Sequence, residues 1–397
     1  MSFTETTTTS WFTRLKGALW KIVIGFVLIL AAIYFLFTNE GRAIQTYRSL
    51  VEGAGLVISA DSARVDPANE GKLVHITGPV KAVGDVTDKE FEIAAPGALA
   101  LGREVEMYQW VEKTESKTEK KLGGGEETVT TYNYVKDWSS RAVDSSGFKK
   151  PAGHQNPDFY VASNTNTVTE AEVGAFRIEG ERVAALGSEQ PVMLNEADAE
   201  RLSGKIATTR PVRINQGELY VGTSVSSPQV GDMRIKFSRT DLGEASFVGA
   251  QKGKTIEPYK TSNGRTIFLS AAGEKDASMM FDSAQSANTM MTWLIRAGGL
   301  LAIFIGFTML FGILGVIGDV IPFVGSIVRG GTTVVALILT LVIGPIVIAI
   351  GWFTYRPLIA AAIIGAGLLM AIGLAFLRRK KAASVDGPIS QPEFGRG

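Results

Sequence analysis

Four long apolar runs constrain this chain more than any other feature. One lies near the N-terminus, over 22–38, and three fill the C-terminal quarter, over 297–317, 332–353 and 357–377. Each run approaches the roughly 20 residues that a helix needs to cross a bilayer. The runs therefore predict an integral membrane protein with one transmembrane helix before, and three after, a long intervening segment.

The intervening segment, 39–290, has the opposite character. It holds most of the charged residues, and its short alternating runs are broken by Gly, Pro, Asn and Asp, which is typical of antiparallel sheet. Strands are predicted over 72–77, 103–111, 128–138, 233–238 and 266–269. Asn195 is predicted to cap a helix over 196–202. The predicted fold class is a membrane α-helical protein with an inserted β-rich α+β domain.

The charges flanking the runs predict the topology. Basic residues precede the first run, at Arg14, Lys16 and Lys21, and four more begin the tail 378–397. The positive-inside rule places both flanks, 1–21 and 378–397, in the cytoplasm, and therefore sends 39–290 across the membrane as a periplasmic or luminal domain. A cleaved signal peptide is the alternative for the first run, but large residues at its end disfavour a cleavage site.

The segment 318–331 is too apolar for a free loop, and we interpret it as a cytoplasmic interfacial elbow. Asp319 is predicted to cap a short half-helix that has Pro322 in its first turn. Ionisable groups near hydrocarbon are costly, so Asp319 and Arg329 could instead belong to a pore or a partner surface.

Two further sets of residues are candidates for the membrane region. Glu40 and Arg42, at the exit of the first helix, either pair at the headgroup boundary or are simply solvated there. Gly367, Ala371 and Ala375 recur every four positions, giving the last helix a smooth stripe for packing within the chain or between copies.

Two predicted strands carry aromatic residues at alternating positions, so the aromatic side chains of each strand lie on one face. Tyr108 and Trp110 lie on the first, and the second carries Tyr132, Tyr134 and Trp138. If the strands pair, these faces coincide and form either a lipid or partner surface or a face covered by the rest of the domain. Between the strands, 113–127 is rich in Lys, Glu and Thr and is predicted to be a mobile arm or a polar hairpin tip.

The sequence offers little catalytic chemistry. It has no cysteine, only two histidines, and none of the metalloprotease, nucleophile-elbow, phosphate-loop or dinucleotide signatures. We therefore predict no enzyme activity, no cofactor and no metal, although carboxylate chemistry stays open. The net charge of +1 does not favour nucleic acid. The predicted partners are membrane lipid, further copies of the chain and possible protein partners.

Several segments resemble one known family. They are 39–43 after the first helix, 105–110 on a strand, 230–234 late in the domain and 319–325 before the third helix. These residues, in this order and with the one-plus-three helix layout, are similar to the transmembrane protein 43 (LUMA) family. The resemblance implies an endomembrane protein with a luminal domain in animals, self-association, and a role in inner nuclear membrane organisation with lamins and emerin.

Together these observations predict a non-enzymatic membrane scaffold or organiser that self-associates and binds partners through its extracytoplasmic domain. The Gly/Pro-interrupted helices leave a channel or transport component as the alternative. An envelope enzyme using carboxylates is the second alternative. The expected location is the bacterial inner membrane for a prokaryotic source, and the endoplasmic reticulum or inner nuclear membrane for a eukaryotic one.

Overall fold

The computed structural model describes residues 2–206 and 208–358. These divide into two compact units. The first combines the segment up to Gly17 with 45–290 and 315–328, and the second holds 18–44, 291–314 and the described residues from Arg329 on. Most of the predicted helix 357–377, its residues Gly367, Ala371 and Ala375, and the tail 378–397 lie outside the described residues.

Five α-helices and two short 3-10 helices, Pro67–Asn69 and Ser145–Gly147, are present in the described residues. The α-helices are α1 (Trp11–Leu56), α2 (Gly180–Ala184), α3 (Glu196–Ser203), α4 (Ala277–Gly318) and α5 (Pro322–Tyr355). Three of them contain an apolar stretch long enough to cross a membrane: α1, α4 and α5. The membrane-helix and β-domain fold class is therefore confirmed, with one apolar helix before the domain and two after it among the described residues.

The strands, in chain order, are β1 (Ser2–Thr9), β2 (Ile58–Ser59), β3 (Leu73–Ala82), β4 (Val86–Asp88), β5 (Ile93–Ala95), β6 (Ala100–Lys120), β7 (Glu126–Ser139), β8 (Asn164–Thr167), β9 (Glu170–Val173), β10 (Phe176–Glu179), β11 (Ser188–Val192), β12 (Val212–Asn215), β13 (Glu218–Val221), β14 (Met233–Asp241), β15 (Glu244–Lys252), β16 (Thr255–Glu257), β17 (Tyr259–Lys260), β18 (Thr266–Ile267) and β19 (Leu269–Ala272). Each predicted strand overlaps one of these, and α3 is capped by Asn195 in a capping box with Asp198.

Two large sheets and two two-stranded sheets, β4-β5 and β17-β18, build the first unit. One large sheet has the order β1-β7-β6-β14-β13-β12, with β8 added beside β6 and β11 beside β14. The other has the order β19-β15-β16-β10-β9-β3-β2. Alternating side chains from both sheets, such as Val105, Phe176 and Phe247, fill one continuous apolar cluster. This cluster is the main core of the β-rich domain.

A second core joins the domain to the ends of two long helices. Leu50 of α1 and Phe281 of α4 pack with Leu73, Val248 and Ile267, which lie on strands of the domain. Gly53 lets α1 approach closely, because a Cβ there would collide with Ile267 and Phe281. The end of α1 and the beginning of α4 are therefore built into the domain.

The second unit consists of apolar helical segments. Ala32 and Leu36 of α1 form a small buried cluster with Ile303 of α4 and Val347 of α5. A Cβ at Gly344 would meet Leu300, so this glycine permits a close approach of α5 to α4. Pro345 lies within the unbroken α5, and a kink there stays a prediction.

The elbow differs from its prediction as a separate half-helix. Pro322 is the first residue of α5, as expected, but the helix continues without a break to Tyr355. Asp319 serves as the C-cap of α4, with its N–H bonded to the carbonyls of Gly315 and Val316. Only 319–321 separate the two helices. The helix continues because apolar residues follow Pro322 and no proline interrupts them before Pro345, although Gly330 and Gly331 are weak helix formers.

Candidate functional site

A three-stranded polar strip extends from one sheet of the domain. We define the polar strip as β1, residues 126–134 of β7 and residues 112–120 of β6. All eight residues of β1 pair with β7 in antiparallel fashion, and β7 pairs with β6 along its whole length. The segment 113–127 is therefore a hairpin tip, the second of its two predicted forms. At about 3.3 Å per residue, β6 extends roughly 43 Å from Met107 to Lys120.

Hydroxyl groups line one face of the polar strip in rows. Ser116 and Thr130 lie 3.0 Å apart through their hydroxyl oxygens, as do Thr118 and Thr128. Thr7 continues the second row because it is the β1 partner of Thr128. Such cross-strand hydroxyl pairs stabilise a sheet that has no apolar face to bury.

The base of the hairpin carries the predicted aromatic ladder. Tyr108 and Trp138 are register partners, and their rings lie 5.3 Å apart. Further along, the ring of His154 stacks on Tyr134 at 4.0 Å and meets the edge of Trp110 at 4.7 Å. A loop segment thus covers much of this face, in place of the second sheet or helix that could have covered it.

Hydrogen bonds fix Tyr134 in this cluster. Its hydroxyl donates to Glu112 at 2.8 Å and accepts from the backbone N–H of Lys150. Burial, and then the Glu112 carboxylate, raise the pKa of the Tyr134 phenol above its ordinary value. Tyr134 therefore stays neutral and structural.

An ionic clasp holds the tip of the polar strip. We define the clasp as Arg14, Lys120, Glu126 and Asp319. Arg14 Nη2 lies 2.5 Å from Asp319 Oδ2 and 2.9 Å from Glu126 Oε1, and Lys120 Nζ lies 3.4 Å from Asp319 Oδ1. Asp319 is fully buried and Arg14 nearly so. The cost of burying these two charges is offset because each lies within contact distance of an opposite charge.

Backbone bonds reinforce the clasp. Trp11 Nε1 donates to the carbonyl of Val316 at 2.8 Å, and the N–H of Gly123 donates to Val320. Arg14 also donates to the carbonyl of Gly124. Gly124 has φ +80°, and a Cβ there would strike the Trp11 ring, so glycine is required on both grounds.

Two other predicted interface residues, Pro322 and Arg329, belong to α5. Arg329 lies within α5 in the second unit, where its carbonyl accepts hydrogen bonds from Thr332 and Thr333. Pro322, at the start of α5, belongs to the first unit. The structure brings Asp319 together with Arg14 and Lys120, neither of which the sequence singled out as its partner.

A second ionic cluster lies in the second unit. Glu40 accepts from Arg296 Nε at 2.8 Å and Nη2 at 2.7 Å, and from Trp352 Nε1 at 2.9 Å. Glu40 therefore pairs with Arg296 and not with Arg42. Arg42 instead bonds the side chains of Asn39 and Thr292. Three helices are joined by these contacts. Glu40 of α1 makes a bidentate, largely buried ion pair with Arg296 of α4, and it accepts a further bond from Trp352 of α5.

Sequence reasoning missed Arg296 and Trp352. A usable signal existed, since Arg296 directly precedes the predicted run 297–317 and an ionisable group at that depth needs a partner. The sequence alone could not predict which acidic residue pairs with Arg296, because that depends on how the helices are arranged.

Buried acids of the domain also have assigned partners. Asp232 accepts from Tyr220 at 2.8 Å and pairs with Arg210. Burial, followed by the bond to Asp232, raises the pKa of Tyr220 far above its usual range. Asp88 pairs with the buried Arg103 at 3.1 Å. These groups stabilise the fold and present no free acid and base.

The cavities of the domain give limited support for a catalytic site. A cavity of about 430 Å³ is lined by Glu104, Glu189 and Glu218, but Glu104 lies 2.9 Å from the ammonium of Lys236. The bond to Glu104 raises the pKa of Lys236. Because both side chains are about half exposed, this is a surface ion pair. Among the described residues, no three His, Asp or Glu side chains are grouped to hold a metal ion.

Comparison with known proteins decides the family. A family profile described as Transmembrane protein 43 matches residues 107–357. Transmembrane protein 43 of Rattus norvegicus is 34% identical over 361 residues, which cover 88% of this chain and 88% of the rat protein. The chain belongs to the transmembrane protein 43 family.

Other transmembrane protein 43 sequences agree. The human protein is 32% identical over 369 residues, with 90% of each chain covered, and the Drosophila melanogaster homologue is 30% identical over 365 residues, with 88% of this chain and 92% of the fly protein covered. No solved structure matches the chain. The transmembrane protein 43 profile spans Lys120, Arg296 and Asp319, whereas Arg14 and Glu40 precede it.

Proposed function

We propose that this member of the transmembrane protein 43 family is a non-enzymatic membrane organiser that self-associates and binds partners through its β-rich domain. The observation that carries the proposal is the mounting of the domain on membrane helices. Leu50 near the end of α1 and Phe281 near the start of α4 are buried in the second core of the domain. A domain held in this way is suited to presenting a surface at a fixed place beside the membrane.

The state of the ionic groups supports an organiser over an enzyme. The carboxylates of Asp88, Asp232 and Asp319 are each buried beside a basic side chain. Catalytic acids and bases need an open approach for substrate and a proton that can move. These carboxylates have structural partners, and the acidic groove at Glu104 is neutralised in part by Lys236.

Asp319 argues against the channel alternative in its simplest form. The pore hypothesis places this carboxylate along an aqueous path, yet its side chain has no solvent exposure and contacts Arg14 and Lys120. A buried carboxylate that is already paired with two cations stabilises the fold, and it is poorly placed to contact ions passing through a pore. We therefore keep transport as the secondary proposal and the organiser as the first.

The proposed placement follows the flanking charges. Apart from the tip of the polar strip, the domain would face the periplasm or the lumen. The N-terminal segment, with the tip that it contacts, would lie on the cytoplasmic side, because Arg14, Lys16 and Lys21 precede the first apolar stretch. The membrane concerned would be the bacterial inner membrane or, in a eukaryote, the endoplasmic reticulum or inner nuclear membrane.

Mass photometry of the full chain in lipid nanodiscs tests self-association. We expect one defined multimer whose mass does not change over a tenfold range of protein concentration. Empty nanodiscs and nanodiscs holding an unrelated monomeric membrane protein set the mass scale. A single monomeric species at every concentration would overturn the organiser proposal and shift attention to the groove at Glu104.

A further inference from the structure

We propose that the polar strip joins copies of this chain edge to edge, with β1 of one copy pairing with β6 of the next. The inference rests on the proposed self-association and names its contact surface. It is carried by two open sheet edges of matching length that belong to the same three strands.

The pairing pattern shows which backbone groups are open. The N–H groups of Tyr108 and Trp110 bond away from β7, to Asp232 and Asn156. Backbone groups of a strand alternate sides with period two, so those of Thr114, Ser116 and Thr118 also point away from β7. No β-strand pairs with this edge of β6 from Glu112 to Lys120 in the described residues.

The same alternation identifies the second edge. Because odd residues of β7 bond to β6, its even residues bond to β1, through Phe3, Glu5, Thr7 and Thr9. The remaining β1 residues direct their N–H and C=O groups outward, at Ser2, Thr4, Thr6 and Thr8. These four residues are exposed, as are 113–119 on the other edge. Neither edge contains a proline.

A second copy is the partner that both edges fit. β1 and β6 run parallel, since each is antiparallel to β7, so the outer edge of β1 can continue a neighbour's sheet beside β6. A heterologous contact of this type closes into a ring or continues as a row. Ser116 and Thr118 present hydroxyls on the face that carries Thr7, which lets the hydroxyl rows continue from copy to copy. Long open edges are otherwise an aggregation hazard that folded proteins avoid.

Disulfide trapping tests the contact, because the chain contains no cysteine of its own. We would combine Thr7→Cys with Thr114→Cys, Ser116→Cys or Thr118→Cys in the full chain in nanodiscs. Within one copy β7 separates these positions by about two strand spacings, roughly 9.6 Å, which is too far for a disulfide. We expect at least one pair to give a ladder of covalent multimers on a non-reducing gel.

Matched variants separate the possible outcomes. Thr7→Cys with Thr128→Cys should close inside one copy, since these residues are register partners, and should give no ladder. Adding Ser116→Pro to the Thr114→Cys or Thr118→Cys pair should abolish its ladder, because this change removes an outward N–H while leaving the bonds to β7. Thr7→Cys with Ala197→Cys, on the exposed surface of α3, controls for random collision.

Three results would overturn the inference. If the Thr128 pair closes but no β6 position gives a ladder, while mass photometry still shows a multimer, the edge contact is wrong and the organiser proposal stands. If the Thr128 pair fails to close, β1 is not docked on β7 and the premise of the edge contact is lost. Absence of any multimer would overturn the organiser proposal together with the edge contact.

Discussion

At the scale of single residues, buried charges carry much of the specificity in this chain. Asp319 and Glu40 lie beside apolar stretches, where an unpaired carboxylate would be costly. Each is paired with an arginine distant in sequence, Arg14 and Arg296 respectively. Removing one member of a buried pair leaves the other charge without compensation, which costs about 3–5 kcal/mol in typical proteins.

Neutralising Asp319 should release the hairpin tip. In Asp319→Asn, Arg14 and Lys120 lose their shared counter-ion, so the bond from Gly123 N–H to Val320 should open more often. Hydrogen–deuterium exchange of peptides covering 119–127 should become faster. Glu115→Gln, an exposed change on the same strand, should leave this exchange unaltered. Equal protection in Asp319→Asn and the parent protein would show that the clasp does not hold the tip.

The Glu40–Arg296 pair should show strong coupling. We expect Glu40→Gln and Arg296→Met each to lower the free energy of unfolding by about 3–5 kcal/mol, because each leaves the other buried charge without an opposite charge. The double variant should lose much less than the sum of the two. Thermal unfolding in one detergent, analysed as a double-mutant cycle, measures this coupling. Strict additivity would mean that the two side chains act independently.

At the scale of elements, β1 depends on the domain for its structure. It has one charged residue and five threonines, and no apolar alternation that would bury a face on its own. Its order comes from pairing with β7 and from the contact of Glu5 with Lys149 at 2.7 Å. The strand is therefore sensitive to conditions that affect this ion pair.

Docking of β1 should weaken in acid. The hydrogen bond from Lys149 lowers the pKa of Glu5 from its ordinary value of 4.5, and the bond to Glu5 raises the pKa of Lys149 from 10.5. Stabilisation by Glu5 is therefore present above about pH 4.5 and lost as the pH falls through the lowered pKa, whereas that by Lys149 is lost only as the pH rises beyond 10.5.

A spin label at Thr6→Cys measures this docking. Its mobility should rise as the pH falls from 6 through the lowered pKa of Glu5, while the Glu5→Gln variant should be more mobile at pH 6 and should change less with acid. A label that responds equally in both variants would assign the pH effect to another group.

At the scale of the whole molecule, the polar strip links regions that the flanking charges assign to opposite membrane faces. Its tip contacts Arg14 and Asp319, which flank apolar stretches on the predicted cytoplasmic side, and its base is part of the β-rich domain. A bilayer with its headgroups is about 40–45 Å thick, and the hairpin extends roughly 43 Å from Met107 to Lys120. The hairpin is thus long enough to reach both faces.

Cysteine labelling tests this arrangement directly. Leu122→Cys lies at the exposed hairpin tip and Ala197→Cys on the exposed surface of α3. In sealed vesicles of known orientation, an impermeant maleimide should label the two variants from opposite sides. A label at Thr8→Cys should follow Leu122→Cys, because Thr8 is the register partner of Glu127, beside the tip. Labelling of all three from one side would contradict the predicted topology.

Local hydropathy was sufficient to predict the class of this protein, because membrane-spanning helices and half-buried strands each have a characteristic local pattern of apolar residues. The runs beginning at 22, 297 and 332 became apolar helices, and Tyr108 met Trp138 as the parity of their strands indicated. Asn195 capped α3 because a cap is also a local feature. Only tertiary structure decided which distant charges meet, as in Arg14 with Asp319 and Glu40 with Arg296. It also decided that β1 joins the sheet, since Thr-rich segments acquire strand order from a neighbour's hydrogen bonds and not from their own pattern.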